Sequence, residues 1–213
     1  MIKGLILARG GTKGLPNKSL LKLGKKTLIT LAIEKLSQVC EVWFSSDSDI
    51  YNEEAGRADA HIIKRPIELA QDNTPAINAI KHAIPHIKDF EILILYNLCC
   101  PLTAVEDIRG ALELMEDADS VTSLVLDFSV HPSKTCYLDG NRILPMGEFS
   151  TSQRQEKKEI YKRNAALYLA KKEVILSGRL FGDNLKGYVM PRFRSIDIND
   201  EFDFKIAKFL YDN

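Results

Sequence analysis

The sequence lacks an excess of charge of either sign, because its 213 residues contain 29 Lys and Arg against 29 Asp and Glu. A protein that binds duplex nucleic acid normally carries a basic excess, so this balance argues against such a partner. The sequence also lacks any apolar run near the roughly 20 residues of a membrane span, and no membrane association is predicted. With 45% hydrophobic residues, the chain has enough apolar side chains for the core of one large domain.

Cysteine and histidine are also scarce, with four residues of each type. No C-x-x-C pair occurs, and adjacent Cys99-Cys100 has poor geometry for a disulfide, so we expect reduced, buried thiols. No signal peptide is recognised before the first predicted strand, and a cytoplasmic location is expected. His82 and His86 are four residues apart, but Pro85 interrupts a helix between them and no H-E-x-x-H pattern occurs. A metal site built on histidine is therefore not expected.

The common phosphate-binding motifs are absent too. The glycines match neither G-x-x-x-x-G-K-[ST] nor G-x-G-x-x-G. What the sequence does have is a short apolar run, Ile2 to Ala8, that stops at Gly10-Gly11, with Arg9, Lys13 and Lys18 close by. Glycine lets backbone N–H groups approach an anion, and fixed cations beside them suit a polyphosphate. The start of the chain predicts a buried strand and a triphosphate-binding loop, with an ordinary strand-to-helix turn as the alternative.

The first half alternates predicted strands and helices. The strands are expected at 2–8, 41–45, 61–64, 91–96 and 120–126, and the helices near 28–38, 48–58, 74–86 and 105–115. Asp72, Asn73 or Thr74 is the expected cap of the third helix. This alternation predicts a mostly parallel sheet with helices on both faces, whose ligands bind at the carboxyl ends of the strands. The Arg9 loop and the Asn97 region are expected at that edge.

The pattern changes after about Phe128. Two short strands near 134–137 and 142–144 flank Asp139-Gly140-Asn141, where Asp-Gly is a hairpin signal. A polar stretch from Gly147 to Lys158 follows, whose composition suits a plain surface loop. A strand near 164–170, a helix near 172–176, a strand near 187–190 and a final helix near 200–211 complete the expectations.

Four blocks of the sequence resemble the CMP-sialic acid synthetase family (acylneuraminate cytidylyltransferases), in the order of that family. The opening L-A-R-G-G-T-K-G-L-P-N-K is similar to the family's A-R-x-x-S-K-G-L-P-x-K-N. Lys64 to Asp72 resembles R-P-x-E-L-A-x-D, Arg163 to Tyr168 resembles R-x-N-G-A-I-Y, and Ser195 to Asn199 resembles S-I-D-I-D. Together the blocks cover nearly the whole chain.

The resemblance implies a Rossmann-like α/β fold of the nucleotide-diphospho-sugar transferase type. It implies a single cytidylyltransferase-like domain over residues 1–213, with a dimerisation and sugar-binding arm at 128–165. The implied activity is Mg²⁺-dependent transfer of CMP from CTP to the anomeric hydroxyl of a keto-sugar acid such as a sialic or other nonulosonic acid, with release of pyrophosphate. A homodimer is the implied assembly.

The resemblance also assigns roles to particular residues. Neutralisation of the triphosphate falls to Arg9, Lys13 and Lys18, with Lys13 stabilising charge on the transferring phosphate. Nucleotide contacts are expected from Ala8, Gly10, Gly11, Ser19, Arg65 and Asn97, although Arg65 also suits a rim charge before Pro66. The sugar acid is expected at Arg154, Lys162, Arg163 and Asn164, although a solvated cationic surface also fits these residues. Magnesium is expected at Asp197 and Asn199, as side chains that share one face of a strand; alternatively, Asn199 or Asp200 caps the last helix.

The sequence departs from the family pattern at several of these positions. Ser19 stands for an asparagine, Asn97 for a glutamine, Thr103 for an arginine, Ala165 for a glycine, and Asn199 for the second metal aspartate. Asparagine offers magnesium a neutral oxygen, so weaker binding is expected. Three hypotheses remain open: a CMP-sugar-acid synthetase with an unusual sugar, a nucleotidyltransferase for another nucleotide or acceptor, and a non-catalytic nucleotide-binding protein.

Overall fold

A seven-stranded sheet forms the centre of the described protein. The computed structural model describes residues 1–11, 14–149 and 158–213. The strands of this sheet are β1 Ile2–Leu7, β4 Glu41–Ser46, β5 His61–Lys64, β6 Ile92–Tyr96, β7 Ser120–Leu126, β10 Tyr161–Lys171 and β11 Leu185–Val189. They lie in the spatial order β11-β7-β10-β6-β1-β4-β5. Two short pairs, β2 Lys22–Leu23 with β3 Lys26–Thr27 and β8 Cys136–Asp139 with β9 Arg142–Pro145, stand apart from it.

The expected mostly parallel sheet is confirmed. β10 runs antiparallel to both of its neighbours, and the other pairings within the sheet are parallel. Buried parallel strands need apolar residues on both faces, and β1 meets this need because Leu5 and Ile6 are both fully buried in different core clusters. The sheet therefore has two cores, one on each face.

Helices cover both faces, as expected for a parallel sheet. The helices are α1 Leu28–Leu36, α2 Asp49–Arg57, α3 Ala76–Ala83, α4 Val105–Glu113, α5 Lys172–Leu176 and α6 Glu201–Asp212. One core contains buried residues of α1, α2, α4 and α6, for example Ile33 and Tyr51. The other contains residues of α3 and α5, for example Ile80 and Val174. No helix in the described part of the chain has the length and apolar character needed to cross a bilayer.

The expectation for the third helix was wrong at both ends. α3 begins at Ala76 after Pro75, with no side-chain cap, so none of Asp72, Asn73 and Thr74 caps it. Proline disfavours helical geometry in the residue before it, which moves the start beyond Thr74. The helix ends at Ala83, and a single tighter turn that contains Pro85 follows. Proline lacks the N–H that a longer helix would need at that point.

The expected hairpin in the second half is confirmed. Asp139 pairs with Arg142 across the turn, and Gly140 there has a φ of +57°, which glycine adopts without strain. All residues of β8 and β9 are exposed. The hairpin therefore lies outside both cores.

Four chain segments with polar residues leave the sheet at one edge. Arg9 follows β1, Asp47 follows β4, Arg65 follows β5 and Asn97 follows β6. These strands are parallel neighbours, so their carboxyl ends meet at the same edge. Ligands of open α/β sheets bind at such an edge.

Candidate active site

The loop after β1 is held against the end of β4. The backbone N–H of Gly10 donates to Asp47 Oδ1 at 3.1 Å. The Gly10 N–H is therefore engaged with a protein carboxylate. Gly14 lies against the segment that precedes α6, where a Cβ would lie 2.7 Å from the backbone oxygen of Asn199. The loop thus bridges the end of β4 and the Asn199 segment.

A buried ion pair lies beneath this loop. The side chains of Arg65 and Asp47 are 5% and 8% exposed, and Arg65 Nη2 lies 3.6 Å from Asp47 Oδ1. Arg65 also donates to the backbone oxygen of Ala8. Burial lowers the pKa of Arg65, and the positive charge of Arg9 lowers it further, whereas Asp47 acts in the opposite direction. The alternative of a solvated rim charge for Arg65 is therefore wrong.

The loop, the end of β5 and the residues before α3 enclose a cavity of about 580 Å³. Its lining includes Ala8, Arg9, Lys18, Ser19 and Arg65 of the sequence-predicted nucleotide set. Arg9 Nη1 forms an ion pair with Asp72 Oδ1, and both residues line the cavity. A volume in this range holds a small ligand, and three of its lining residues are cations. The cavity therefore suits an anion that competes with Asp72 for Arg9.

Lys18 and Ser19 also line this cavity. Lys18 Nζ donates to the backbone oxygen of Ile198 at 3.0 Å, so it joins the loop to the segment that precedes Asn199. Ser19 is 3% exposed. Cys99 lines the cavity as well, and burial raises the pKa of its thiol. The cavity wall at Cys99 is therefore a neutral thiol at neutral pH.

A second, smaller cavity of about 290 Å³ lies beside the first. It is lined by Lys162, Arg163, Asn164, Asp197 and Asn199, together with Asp203 and several smaller residues. Asn199 lines both cavities. The structure thus brings three of the four residues expected at the sugar acid together with those expected at the metal, next to the cavity of the cations.

Asn164 and Arg163 are engaged with protein groups. Asn164 is 4% exposed; its Oδ1 accepts from Ser123 Oγ at 2.5 Å and its Nδ2 donates to Ser195 Oγ at 2.9 Å. The Arg163 guanidinium carbon lies 5.2 Å from the ring centre of Phe181. The role predicted for these two residues at the sugar acid stays a prediction. Lys162 is exposed and lines the second cavity together with them.

Ala165 has an unusual backbone. Its φ is +61°, a left-handed conformation that costs a residue with a Cβ about 1 kcal/mol. The pairing of β10 with β7 shifts register between Arg163 and Tyr168, so a bulge lies at this point. The bulge explains why a glycine suits this position in the family pattern.

Asp197 and Asn199 do not lie on a strand, which corrects the expected strand geometry. Residues 195–199 have no ladder partner, although the Ile198 N–H donates to the oxygen of Cys99 at 2.9 Å. The two side chains nevertheless meet, because Asn199 Nδ2 donates to Asp197 Oδ2 at 3.2 Å. Asp200 caps α6 by accepting from the N–H of Asp203 at 2.9 Å, as one alternative had it. Asn199 is not the cap.

Sequence reasoning missed the side chains that anchor this segment. Arg194 donates from Nε and Nη2 to the two oxygens of Asp107, each at 2.8 Å, and Asp107 is fully buried. Asp107 Oδ2 also accepts from the N–H of Ala104 at the start of α4. Sequence reasoning also missed Asp47. A signal for it was present, because Asp47 lies just after the strand predicted at 41–45, and that strand was expected to end at the same edge of the sheet as the β1 loop. The partnership of Arg194 with Asp107 had no such signal, since 87 residues separate them.

Two of the sequence-predicted residues lie outside the described residues. These are Lys13, expected at the transferring phosphate, and Arg154, expected at the sugar acid. Gly11 is described and exposed, and apart from Gly11 and its chain neighbours no atom of the described residues lies within 4 Å of the position of a Cβ there. Asn97 lines neither cavity described above.

Comparison with known proteins adds to this geometry. Residues 3–203 match the family model described as Cytidylyltransferase. N-acylneuraminate cytidylyltransferase of Escherichia coli O18:K1:H7 is 31% identical over 213 residues, which cover 97% of this chain and 51% of that protein. CMP-N,N'-diacetyllegionaminic acid synthase of Campylobacter jejuni is 30% identical, over 96% of this chain and 92% of that protein. The chain thus spans about half the length of the first relative and nearly all of the second.

Solved structures share the fold. A CMP:2-keto-3-deoxy-manno-octonic acid synthetase complexed with CTP superposes with a TM-score of 0.74 at 16% identity, covering 98% of this chain and 97% of that one. A 4-diphosphocytidyl-2C-methyl-D-erythritol synthase from Anaerococcus prevotii gives 0.67 at 12% identity, with 100% and 98% covered. At such identities the likeness concerns the fold. The family match over nearly the whole chain, together with relatives that are 30% and 31% identical, establishes that this protein belongs to the cytidylyltransferase family.

Proposed function

We propose that the protein transfers CMP from CTP to the anomeric hydroxyl of a keto-sugar acid and releases pyrophosphate. One observation carries this proposal: a cavity lined by Arg9, Lys18 and Arg65 adjoins a second cavity lined by Lys162, and Asn199 lines both. A polyphosphate in the first and an acidic acceptor in the second would meet beside Asn199. The relatives support the class of acceptor, because they are named for neuraminate and legionaminic acid.

The reaction exchanges one bond at the α-phosphorus of CTP for another. The acceptor oxygen attacks this phosphorus and loses its proton to water, while the bond from the phosphorus to the bridging β-phosphate oxygen breaks and pyrophosphate leaves. Negative charge on the triphosphate opposes the attack, so the protein's contribution is positioning and charge neutralisation. Arg9 and Lys18 supply positive charge from the described loop, and Lys13 is expected to supply more. Arg65, held by Asp47, adds a charge that is already desolvated.

Magnesium is the proposed cofactor, held by Asp197 and Asn199. No group of three acidic, histidine or cysteine side chains converges on a metal-sized point within residues 1–11, 14–149 and 158–213. Magnesium does not need one, since it is often bound by one or two carboxylates together with substrate phosphates and water. The Asp197 carboxylate and the Asn199 amide oxygen fit that need. The ion would neutralise phosphate oxygens of the bound nucleotide.

A homodimer formed through the β8–β9 hairpin is the proposed assembly. Tyr137, Leu138 and Ile143 on this hairpin are 63%, 69% and 53% exposed. A two-stranded hairpin whose residues are all exposed is marginally stable by itself, and burial against a second copy would stabilise it. Analytical ultracentrifugation tests this assembly: we expect a dimer that Leu138→Lys dissociates, and a monomeric parent protein would contradict it.

A reducing compartment such as the cytoplasm is the proposed location. The cysteines at 40, 99, 100 and 136 are all free thiols, and no disulfide forms among them. Cysteines that stay unpaired are typical of proteins in reducing compartments, where thiols are kept reduced. Fractionation of the cells that make the protein tests this point, and recovery outside the cytoplasm would contradict it.

The enzymatic proposal is tested by pyrophosphate release. CTP, UTP, GTP and ATP are each supplied with Mg²⁺ and a panel of keto-sugar acids. We expect release with CTP alone, loss of activity in Lys13→Ala, and a raised KM for the sugar acid in Lys162→Ala. Lys158→Ala is the matched control, because Lys158 is exposed and lies outside the lining of both cavities.

The other outcomes distinguish the remaining hypotheses. Turnover with a different nucleotide would identify a nucleotidyltransferase of the same fold with another specificity. Absence of turnover with every pair, combined with thermal stabilisation by a nucleotide, would identify a binding protein without catalysis.

A further inference from the structure

The Asn97 side chain is fixed in one orientation at the end of β6. Its Oδ1 accepts from the N–H of Cys99 at 3.0 Å. Its own backbone N–H donates to the oxygen of Ala166 at 3.0 Å, which fixes the main chain as well. Because an N–H donor occupies Oδ1, the Nδ2 end of the amide must face the other way. That end lies 3.4 Å from Asp197 Oδ1.

The Asp197 carboxylate is held between two amides. Asn97 Nδ2 faces Oδ1, and Asn199 Nδ2 donates to Oδ2 at 3.2 Å. Residues 195–199 lie outside the strands, so no ladder on either side fixes the direction of the Asp197 side chain. Its direction depends on side-chain contacts, of which these are two. The Cys100 thiol, 3.8 Å from Oδ1, is a third and weaker one.

The same geometry leaves Asn97 unsuited to read a nucleobase. The first cavity is lined by the next two residues, Leu98 and Cys99, but Asn97 is not part of its lining. A base is distinguished by donors and acceptors that face it and are free to bind it. Asn97 Oδ1 accepts from Cys99 and Asn97 Nδ2 is directed at Asp197, so both ends of the amide contact protein groups, and Asn97 is not part of the lining of the first cavity.

We propose that Asn97 is a positioning residue that directs the Asp197 carboxylate towards the divalent cation of the nucleotide complex, and that it does not select the base. This assignment rests on the proposed function, since it takes Asp197 to be a cation ligand. It differs from the nucleotide contact that the sequence predicted for Asn97. The two roles give opposite results when the amide is removed or lengthened.

The test separates cation binding from base preference. Mn²⁺ serves as the probe ion, and its affinity is titrated by electron paramagnetic resonance with saturating CTP. Base preference is measured in parallel as the ratio of CTP to UTP dissociation constants. Loss of a partner that orients a metal ligand lowers metal affinity 10–100-fold. Because the contact from Asn97 is long, we expect Asn97→Ala to weaken Mn²⁺ binding by about tenfold.

The ratio of CTP to UTP affinity should stay within about twofold of the parent value in Asn97→Ala, since Asn97 is not part of the lining of the first cavity. Asn97→Gln keeps an amide donor and should retain most of the Mn²⁺ affinity, again with unchanged base preference. An effect through folding alone would not be rescued by glutamine in this selective way. Asn97→Gln also provides a folded variant if Asn97→Ala is unstable.

Two results would overturn the assignment. One is a loss of CTP preference in Asn97→Ala with Mn²⁺ affinity unchanged. The other is a gain of CTP preference in Asn97→Gln, which a base-reading amide of greater reach would produce. If the parent protein binds a nucleotide other than CTP, the proposed function fails in its choice of nucleotide. The Mn²⁺ titration then proceeds with that nucleotide, and the role of Asn97 is judged separately.

Discussion

Replacing Asp47 by asparagine should destabilise the protein far more than the same replacement at Asp49, two residues away. Asp47 lies 3.6 Å from Arg65, with the two side chains 8% and 5% exposed. Asp49 lies closer to its own partner, 2.9 Å from Lys64, but those side chains are 83% and 78% exposed. By distance alone, the Asp49 pair would contribute more to stability, whereas by burial the Asp47 pair would contribute more.

Burial should decide the magnitude. Removing one member of a buried ion pair leaves an uncompensated charge and costs 3–5 kcal/mol. Arg65 keeps its bond to the oxygen of Ala8, so we expect Asp47→Asn to lower the free energy of unfolding by about 3 kcal/mol, the lower end of that range. An exposed pair contributes about 0–1 kcal/mol, and Asp49 also lies in the first turn of α2. For Asp49→Asn we therefore expect at most about 1 kcal/mol.

Urea denaturation of the two variants and the parent, without nucleotide, measures both values. Equal m-values would show that the comparison concerns stability alone. Asp47→Asn should also weaken CTP binding, because it removes the negative charge that pairs with Arg65, a residue of the cavity lining. Equal destabilisation by the two substitutions, within about 0.5 kcal/mol, would refute the argument that the buried pair supports this loop.

The remaining predictions concern the backbone and pH. Ala165→Gly should stabilise the protein by about 0.5 kcal/mol. Relief of the left-handed φ of +61° outweighs the greater conformational entropy that glycine gives the unfolded chain. Destabilisation in urea melts would contradict this prediction. Gly14→Ala should impair both folding stability and CTP binding, since a Cβ there would lie 2.7 Å from the oxygen of Asn199. Gly11→Ala should leave stability unchanged, because beyond its chain neighbours no described atom lies within 4 Å of a Cβ at that position. Burial, reinforced by neighbouring positive groups, lowers the pKa of His82 below its usual 6.5. The folded state therefore binds fewer protons than the unfolded state near this pH. The free energy of unfolding should fall as the pH drops below about 6.5. His82→Gln should flatten this dependence in thermal melts, and an unchanged slope would show that His82 is not its source.

The local order of strands and helices could be read from the sequence. Apolar runs such as Ile2 to Ala8 and the alternation with amphipathic segments depend on residues close together in the chain, so they predicted the parallel sheet with helices on both faces. The glycine-rich loop with Arg9 and Lys18 was placed correctly at the carboxyl edge for the same reason. The start of α3 was predicted wrongly, because capping residues were weighed above the restriction that Pro75 places on Thr74.

Only the tertiary structure decided which polar groups serve the site and which hold it together. It showed that Arg65 is buried against Asp47, that Asn97 faces Asp197, and that Arg194 is anchored by Asp107. These partners are 18, 100 and 87 residues apart in the chain, and nothing in a local pattern encodes such pairings. The sequence by itself determined the sheet, its helices and the cationic loop, because periodicity and turn chemistry act over a few residues. The orientation of the Asp197 carboxylate was decided by folding alone, because the segment that carries it has no strand partner and depends on side chains brought from distant parts of the chain.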